Sequence, residues 1–159
     1  MAIINAQGQE IPETWTYGQA ETPLAPHVIV PLAALPPAGE PLPSPLGVQL
    51  PPETQAESIA ARLGDFTLIA IEFPKFRDGR GFTLARTLRE KYGYTGDIRA
   101  VGHFIPDQFV FLLRCGFSTL LTPPEHPAAQ WRLPTATSPE NPAHPGQLLH
   151  RLVSRGRAA

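Results

Sequence analysis

The sequence contains a single cysteine, Cys115, among its 159 residues. One thiol cannot form a disulfide within the chain, and it cannot supply the several thiolates that an iron–sulfur cluster or a structural zinc site takes from protein. The sequence also lacks the dinucleotide-binding pattern G-x-G-x-x-G and an evident set of haem ligands. We therefore expect no metal site, and the identity of any cofactor stays open.

The sequence also lacks a large net charge and long hydrophobic runs. The formal net charge is −1 at pH 7, which disfavours nucleic acid and anionic membrane as partners. No apolar run approaches the ~18 residues needed to cross a bilayer, and the start "MAIINAQGQE" lacks the regions of a secretory signal. With 42% hydrophobic residues, the composition is typical of one globular domain, which we expect to be cytoplasmic.

Proline is scarce only in the middle of the chain. Of twenty prolines, eleven precede Glu53 and seven lie from Pro123 onward. We predict an N-terminal proline-rich arm with short strands at residues 1–52, part of the same domain, and an α/β core at residues 53–122. Residues 123–159 are predicted to form a proline-rich, mobile tail that contains a short amphipathic helix. The apolar runs "HVIVPL" and "LGVQL" predict two strands in the arm.

The middle of the chain alternates between helical and strand periodicity. The pattern predicts helices at residues 53–64, 82–93 and 106–116, and strands at residues 66–73, 97–102 and 117–121. We therefore expect an α/β fold with a mainly parallel sheet of βα units, either an open doubly wound layer or part of a (β/α) barrel. A homo-oligomer and a monomer are both compatible with this pattern.

A turn rich in cations follows the strand at residues 66–73. The segment "FPKFRDGRGF" places three cations beside an aspartate and two glycines. Parallel sheets bind ligands beyond the carboxyl ends of their strands, which is where this turn lies. Glycine allows backbone amides to face a bound oxyanion at a helix start, and Lys and Arg add charged donors. We therefore predict an anion-binding site formed by Lys75, Arg77, Asp78, Gly79, Arg80 and Gly81.

Other interpretations of these residues stay open. The turn is also compatible with a tight connection in which Asp78 binds backbone amides and the arginines stay solvated or pair with Glu72 and Asp97. Alternatively, Asp78 and His103 are candidate catalytic residues that act with Arg80 in acid and base chemistry on an anionic substrate. A third hypothesis is a scaffold that docks through a basic helix face, formed by Arg86, Arg89 and Lys91.

The sequence resembles a known bacterial family over residues 69–117. The likeness rests on the turn "FPKF-DGRG", the helix pattern "AR-LR", the segment "GYTGDIRAVG" and the later "DQ" and "RCGF". These segments are similar to the family numbered nine hundred and thirty-four among the uncharacterised domain families. Its members typically lie beside genes for assimilatory sulfite or nitrite reductase and are often labelled probable oxidoreductases of sulfite reduction. The resemblance implies a role in sulfur assimilation, and hence in cysteine biosynthesis.

The oxidoreductase label is hard to reconcile with the composition. The chain contains no visible electron carrier of its own. We therefore favour an accessory protein of sulfite reduction that binds sulfite or nitrite reductase, an oxyanion at residues 75–81, or both. The alternative is a small-molecule enzyme. After Phe117 the proline-rich tail departs from the regular ending of the family, which leaves the role of the tail open.

Overall fold

Short apolar runs form one eight-stranded sheet in the computed structural model, which describes residues 1–133. The strands are β1 (Ile3–Asn5), β2 (Glu10–Ile11), β3 (Thr16–Tyr17), β4 (Val28–Pro31), β5 (Leu46–Leu50), β6 (Leu68–Phe73), β7 (Asp97–Gly102) and β8 (Thr119–Leu121). The α-helices are α1 (Arg80–Glu90) and α2 (Phe109–Cys115). Within the described range, neither helix is long and apolar enough to cross a membrane.

The sheet is mostly parallel, as predicted. Strands β3 to β8 pair in chain order and run parallel, while β1 pairs antiparallel with both β8 and β2. A doubly wound sheet reverses its strand order at a switch point. Here each parallel strand lies beside the next one in the chain, which is the strand order of a barrel.

The sheet is also strongly curled. Strands β2 and β3 lie at its two edges, yet they are connected only by residues 12–15. This connection allows Ile11 and Thr16 to be at most about 18 Å apart, whereas a flat sheet of eight strands is about 34 Å wide. The two edges must therefore approach each other, and the sheet encloses an inner face like part of a barrel.

Side chains alternate between the outer and inner faces of the sheet. The outer face forms the main core, where the strands pack against α1, α2 and the loops. Helix α1 contributes Leu84, Ala85 and Leu88, which recur at helical spacing and are buried. The inner face holds a smaller apolar cluster, formed by Ile29, Leu68, Ala70 and Val101 with Trp15, Tyr17 and Leu121 packed against it.

The expected pattern of repeated βα units is not confirmed. Among residues 1–133, an α-helix follows only β6 and β7. Residues 53–64, predicted as an α-helix, instead form two 3₁₀-helices, Ala56–Ser58 and Ala60–Asp65. The hydroxyls of Thr54 and Ser58 each donate to a carbonyl three residues back, at 2.7 Å, and such bonds compete with an α-helical ladder. The predicted apolar face is nevertheless buried, through Ala56, Ile59 and Leu63.

Within the described range, both proline-rich ends pack with the α/β core. Residues 1–52 contribute five of the eight strands. Residues 123–133, predicted as the start of a mobile tail, pack against the core through Trp131, which is 1% exposed and donates its indole N–H to the His126 carbonyl at 2.8 Å. The predicted C-terminal helix lies outside the described residues. The domain boundaries at residues 53 and 123 stay a prediction.

Candidate functional site

The cation-rich turn lies where β6 meets α1, as predicted. Its main hydrogen-bond donor, Arg80, is already bound by Asp78. The Asp78 carboxylate accepts from the Arg80 backbone N–H at 3.1 Å and from the Arg80 guanidinium at 3.0 and 2.7 Å. These hydrogen bonds from Arg80 lower the pKa of Asp78 to about 2, so the carboxylate stays ionised. Asp78 therefore occupies the Arg80 groups that the anion hypothesis requires.

The two glycines of the turn do not adopt the conformation that the anion hypothesis invoked. Gly79 has φ −83° and ψ −5°, which any residue can adopt. Gly81 lies within α1, where a Cβ atom would stand 2.8 Å from the Phe73 ring. Glycine at position 81 is therefore explained by the close packing of α1 on β6. It does not require backbone amides that face a ligand.

The predicted site residues divide between different clefts. Arg80 lines a cleft with Glu53 and Thr87. His103 instead follows β7 and lines a cleft of about 340 Å³ with Glu72 and neighbouring residues. The described clefts therefore do not bring His103 together with Asp78 and Arg80, as the hypothesis of acid and base catalysis required.

The basic helix face proposed as a docking surface is engaged within the chain. Arg89 donates to the carbonyls of Tyr94, Gly96 and Gly116 at 2.7–2.9 Å. Arg86 lies 3.6 Å from Glu90, and Lys91 lies 3.9 Å from Glu57. Arg89 fixes the end of α1 to two loops and is not free to dock, whereas Arg86 and Lys91 stay more than half exposed in their surface ion pairs.

A different part of the turn is exposed, and we call it the turn surface: Lys75, Phe76 and Arg77 with Phe111 and Arg114 of α2. Phe76 is 42% exposed and Phe111 is 47% exposed, which is unusual for phenylalanine. The three cations are exposed, and within residues 1–133 no carboxylate lies within 4.0 Å of any of them. The turn surface therefore combines aromatic area with positive charge.

Gln108 holds the two halves of the turn surface together. Its amide nitrogen donates to the Phe76 carbonyl at 2.8 Å, and its amide oxygen accepts from the Ile105 N–H at 3.0 Å. Phe111 lies three residues after Gln108 and hence on the same side of the helix. The Phe111 ring also packs on Phe82 with centroids 4.8 Å apart. These contacts fix the backbone at Phe76 and the ring of Phe111.

The inner face of the sheet carries polar groups that the sequence analysis did not single out. Glu72 of β6 accepts a hydrogen bond from the side-chain amide of Gln49 of β5 at 3.0 Å. This pair lies near the carboxyl ends of the strands and lines two clefts, of about 340 and 620 Å³. The signal was available in the sequence, because each residue is a polar position within an otherwise apolar strand.

Arg99 lies on the same inner face, nearer the amino end of β7. It is 3% exposed, and it donates to Tyr17 at 2.9 Å, to Thr119 at 3.0 Å and to Glu13 at 3.2 and 3.3 Å. Burial opposes the charge of Arg99, but Tyr17 and the carboxylates of Glu13 and Asp97 outweigh burial and raise its pKa. Burial also raises the pKa of the Tyr17 hydroxyl. Arg99 is therefore a fixed cation that ties β3 to β7 across the curled sheet.

Comparisons with known proteins place these features in a family. A family model described as "Bacterial protein of unknown function (DUF934)" matches residues 47–139, which is more than half of the chain. The matched range includes the turn, both α-helices, strands β6 to β8 and all of β5 except its first residue. Searches among curated proteins and among solved structures found no match. The chain belongs to the DUF934 family of bacterial proteins of unknown function.

Proposed function

We propose that the protein is an accessory protein of assimilatory sulfite reduction and that it binds sulfite reductase through the turn surface. The observation that carries the proposal is the pair of exposed phenylalanines, Phe76 and Phe111, beside three exposed cations. Aromatic residues and arginine are enriched at protein interfaces, and a few such residues carry most of the binding energy. The connection to sulfur assimilation rests on the resemblance noted in the sequence, since the matching family model is described only as of unknown function.

The charges of the turn surface favour an acidic partner. Arg77 and Lys75 flank Phe76, and the Arg77 guanidinium lies 5.4 Å from the centre of the Phe76 ring. The Asp78–Arg80 pair beside them is internally neutral. An acidic patch on the reductase would be attracted to the remaining cations at long range, while the rings supply apolar area at contact. The binding is therefore expected to weaken as salt rises.

The Phe76→Ser and Arg77→Glu variants test the turn surface. Each is expected to weaken binding to purified sulfite reductase about thirtyfold, as expected for the loss of a hot-spot residue. Both side chains are exposed, so neither substitution removes core packing. Titration calorimetry at low salt measures the dissociation constants, and repetition at higher salt separates the electrostatic share.

The matched control is Lys91→Glu, which also reverses one exposed charge but lies at the other end of α1. This variant is expected to bind the reductase like the wild type. A loss equal to that of Arg77→Glu shows that net charge or the basic helix face, rather than the turn surface, governs binding. Absence of binding by the wild type removes the reductase-binding version of the accessory role.

The oxyanion version of the function is a separate proposal with its own test. Its residues are those of the turn, and Asp78 must release Arg80 before an anion can take its place. Calorimetric titration with sulfite, sulfate and phosphate, comparing the wild type with Arg80→Ala, measures such binding.

Catalysis by His103 is tested by turnover of a small anionic substrate that is lost in His103→Ala.

A further inference from the structure

The strongest additional feature is the pair of clefts at the carboxyl ends of the parallel strands, on the inner face of the sheet. One cleft, of about 340 Å³, is lined by Tyr17, Gln49, Glu72, Val101, His103 and Leu121 among others. The other, of about 620 Å³, lies toward β4 and shares Gln49 and Glu72 with the first. Parallel sheets of barrel type bind their ligands at this end. This location is distinct from the turn surface.

The chemistry of the shared pair determines what such a site accepts. A carboxylate only accepts hydrogen bonds, so the bond between Gln49 and Glu72 uses an N–H of Gln49 and leaves its amide oxygen as an acceptor. Among the described residues, the second carboxylate oxygen of Glu72 receives no hydrogen bond from the protein. The pair therefore offers two acceptor oxygens and a negative charge, beside the one remaining N–H of Gln49.

The walls of the smaller cleft add a preference for flat, apolar groups. Pro74, Val101 and Leu121 are apolar residues of its lining, whereas the ring of Phe73, which also borders the cleft, is buried in the main core on the outer face. His103 stands at the rim, where its backbone N–H donates to the Phe73 carbonyl at 2.7 Å and its side chain is exposed. A planar ring that fits between apolar walls gains from their burial, while donors on its edge meet Glu72.

We infer that this cleft binds a small planar molecule that carries adjacent N–H donors, such as an amidine or an amino-substituted heteroaromatic base. The donors bind the Glu72 carboxylate, and the ring lies against Val101 and Leu121. The predicted selectivity is opposite to that of an oxyanion site, because Glu72 repels a carboxylate ligand of the same shape. This inference does not depend on binding to a reductase.

Benzamidine and benzoate test the inference directly, since they share a ring and differ in the sign and hydrogen-bonding role of the substituent. Titration of the ¹⁵N-labelled protein is followed by NMR. Benzamidine is expected to shift the signals of Gly102, His103 and the Gln49 side-chain amide, and benzoate is expected to leave them in place. Glu72→Gln is expected to weaken benzamidine binding about tenfold, because it removes the charge from the acceptor.

Glu125→Gln is the matched control. Glu125 is an exposed carboxylate that lies 4.0 Å from His103 and lines a neighbouring cleft with Phe76. Its substitution is expected to leave benzamidine affinity unchanged. Three results overturn the inference: benzoate binds as well as benzamidine, benzamidine causes no shifts at the cleft, or Glu72→Gln keeps the wild-type affinity while its spectrum shows a folded protein.

Discussion

The Arg99→Leu variant is expected to lose about 3 kcal/mol of its free energy of unfolding. Arg99 is almost fully buried and hydrogen-bonds Glu13, Tyr17 and Thr119. Leucine fills part of the volume but leaves these groups and Asp97 without their cation. Glu13 and Asp97 keep partial access to water, at 34% and 28% side-chain exposure, which places the loss at the lower end of the range for a broken buried pair.

Urea unfolding at constant pH measures this loss, and Arg62→Leu provides the matched control. Arg62 is also largely buried, with 16% side-chain exposure, and it donates one hydrogen bond, to the Pro36 carbonyl at 3.0 Å, while its other two guanidinium nitrogens have no hydrogen-bond partner among the described residues. Leucine removes these unsatisfied groups, so the control is expected to change stability by about 1 kcal/mol or less. Equal losses in both variants contradict the idea that the Arg99 network holds the curled sheet together.

The length of its apolar pattern decided whether each element could be predicted from the sequence. Strands β4 to β7 and both α-helices follow apolar patterns of four residues or more, and the sequence predicted each of them. Strand β8 has only three residues, but it lies within the longer run "FSTLL", which the sequence predicted as a strand. Strands β1, β2 and β3 have only two or three residues, too few for a periodic signal. Their positions depend on non-local pairing and on contacts such as that between Tyr17 and Arg99, which local patterns do not encode.

The candidate site was predictable only in its location. Reasoning from parallel strands placed the site at their carboxyl ends, where the turn, Glu72 and His103 lie. The residues chosen within the turn were those with charge and glycine, but in the structure Asp78 binds Arg80, and Gly81 packs on Phe73. The alternation within "DIRAVG" would have placed Arg99 and Val101 on one face. This alternation does not reveal that β3, which carries Tyr17, lies across the inner face from Arg99.

Gly102 is the second residue whose substitution is expected to have a large effect. Its φ is +108°, a conformation that side-chain-bearing residues rarely adopt, and a Cβ atom would collide with the Phe73 carbonyl oxygen on the neighbouring strand. Gly102→Ala therefore combines backbone strain with a clash against backbone that cannot easily move. We expect a loss of about 3 kcal/mol in the free energy of unfolding.

Gly39→Ala separates the two contributions. Gly39 has φ +100°, nearly the same as Gly102, but a Cβ atom there meets nothing within 4 Å. Its substitution is expected to cost only the backbone strain, about 1 kcal/mol.

The clash at Gly102 should also lengthen the hydrogen bond from the His103 N–H to the Phe73 carbonyl, now 2.7 Å. The His103 amide should then exchange faster with solvent in Gly102→Ala alone. Equal costs for the two alanines would mean that β6 and β7 separate freely, and that the rim of the inner cleft is not fixed by this close approach.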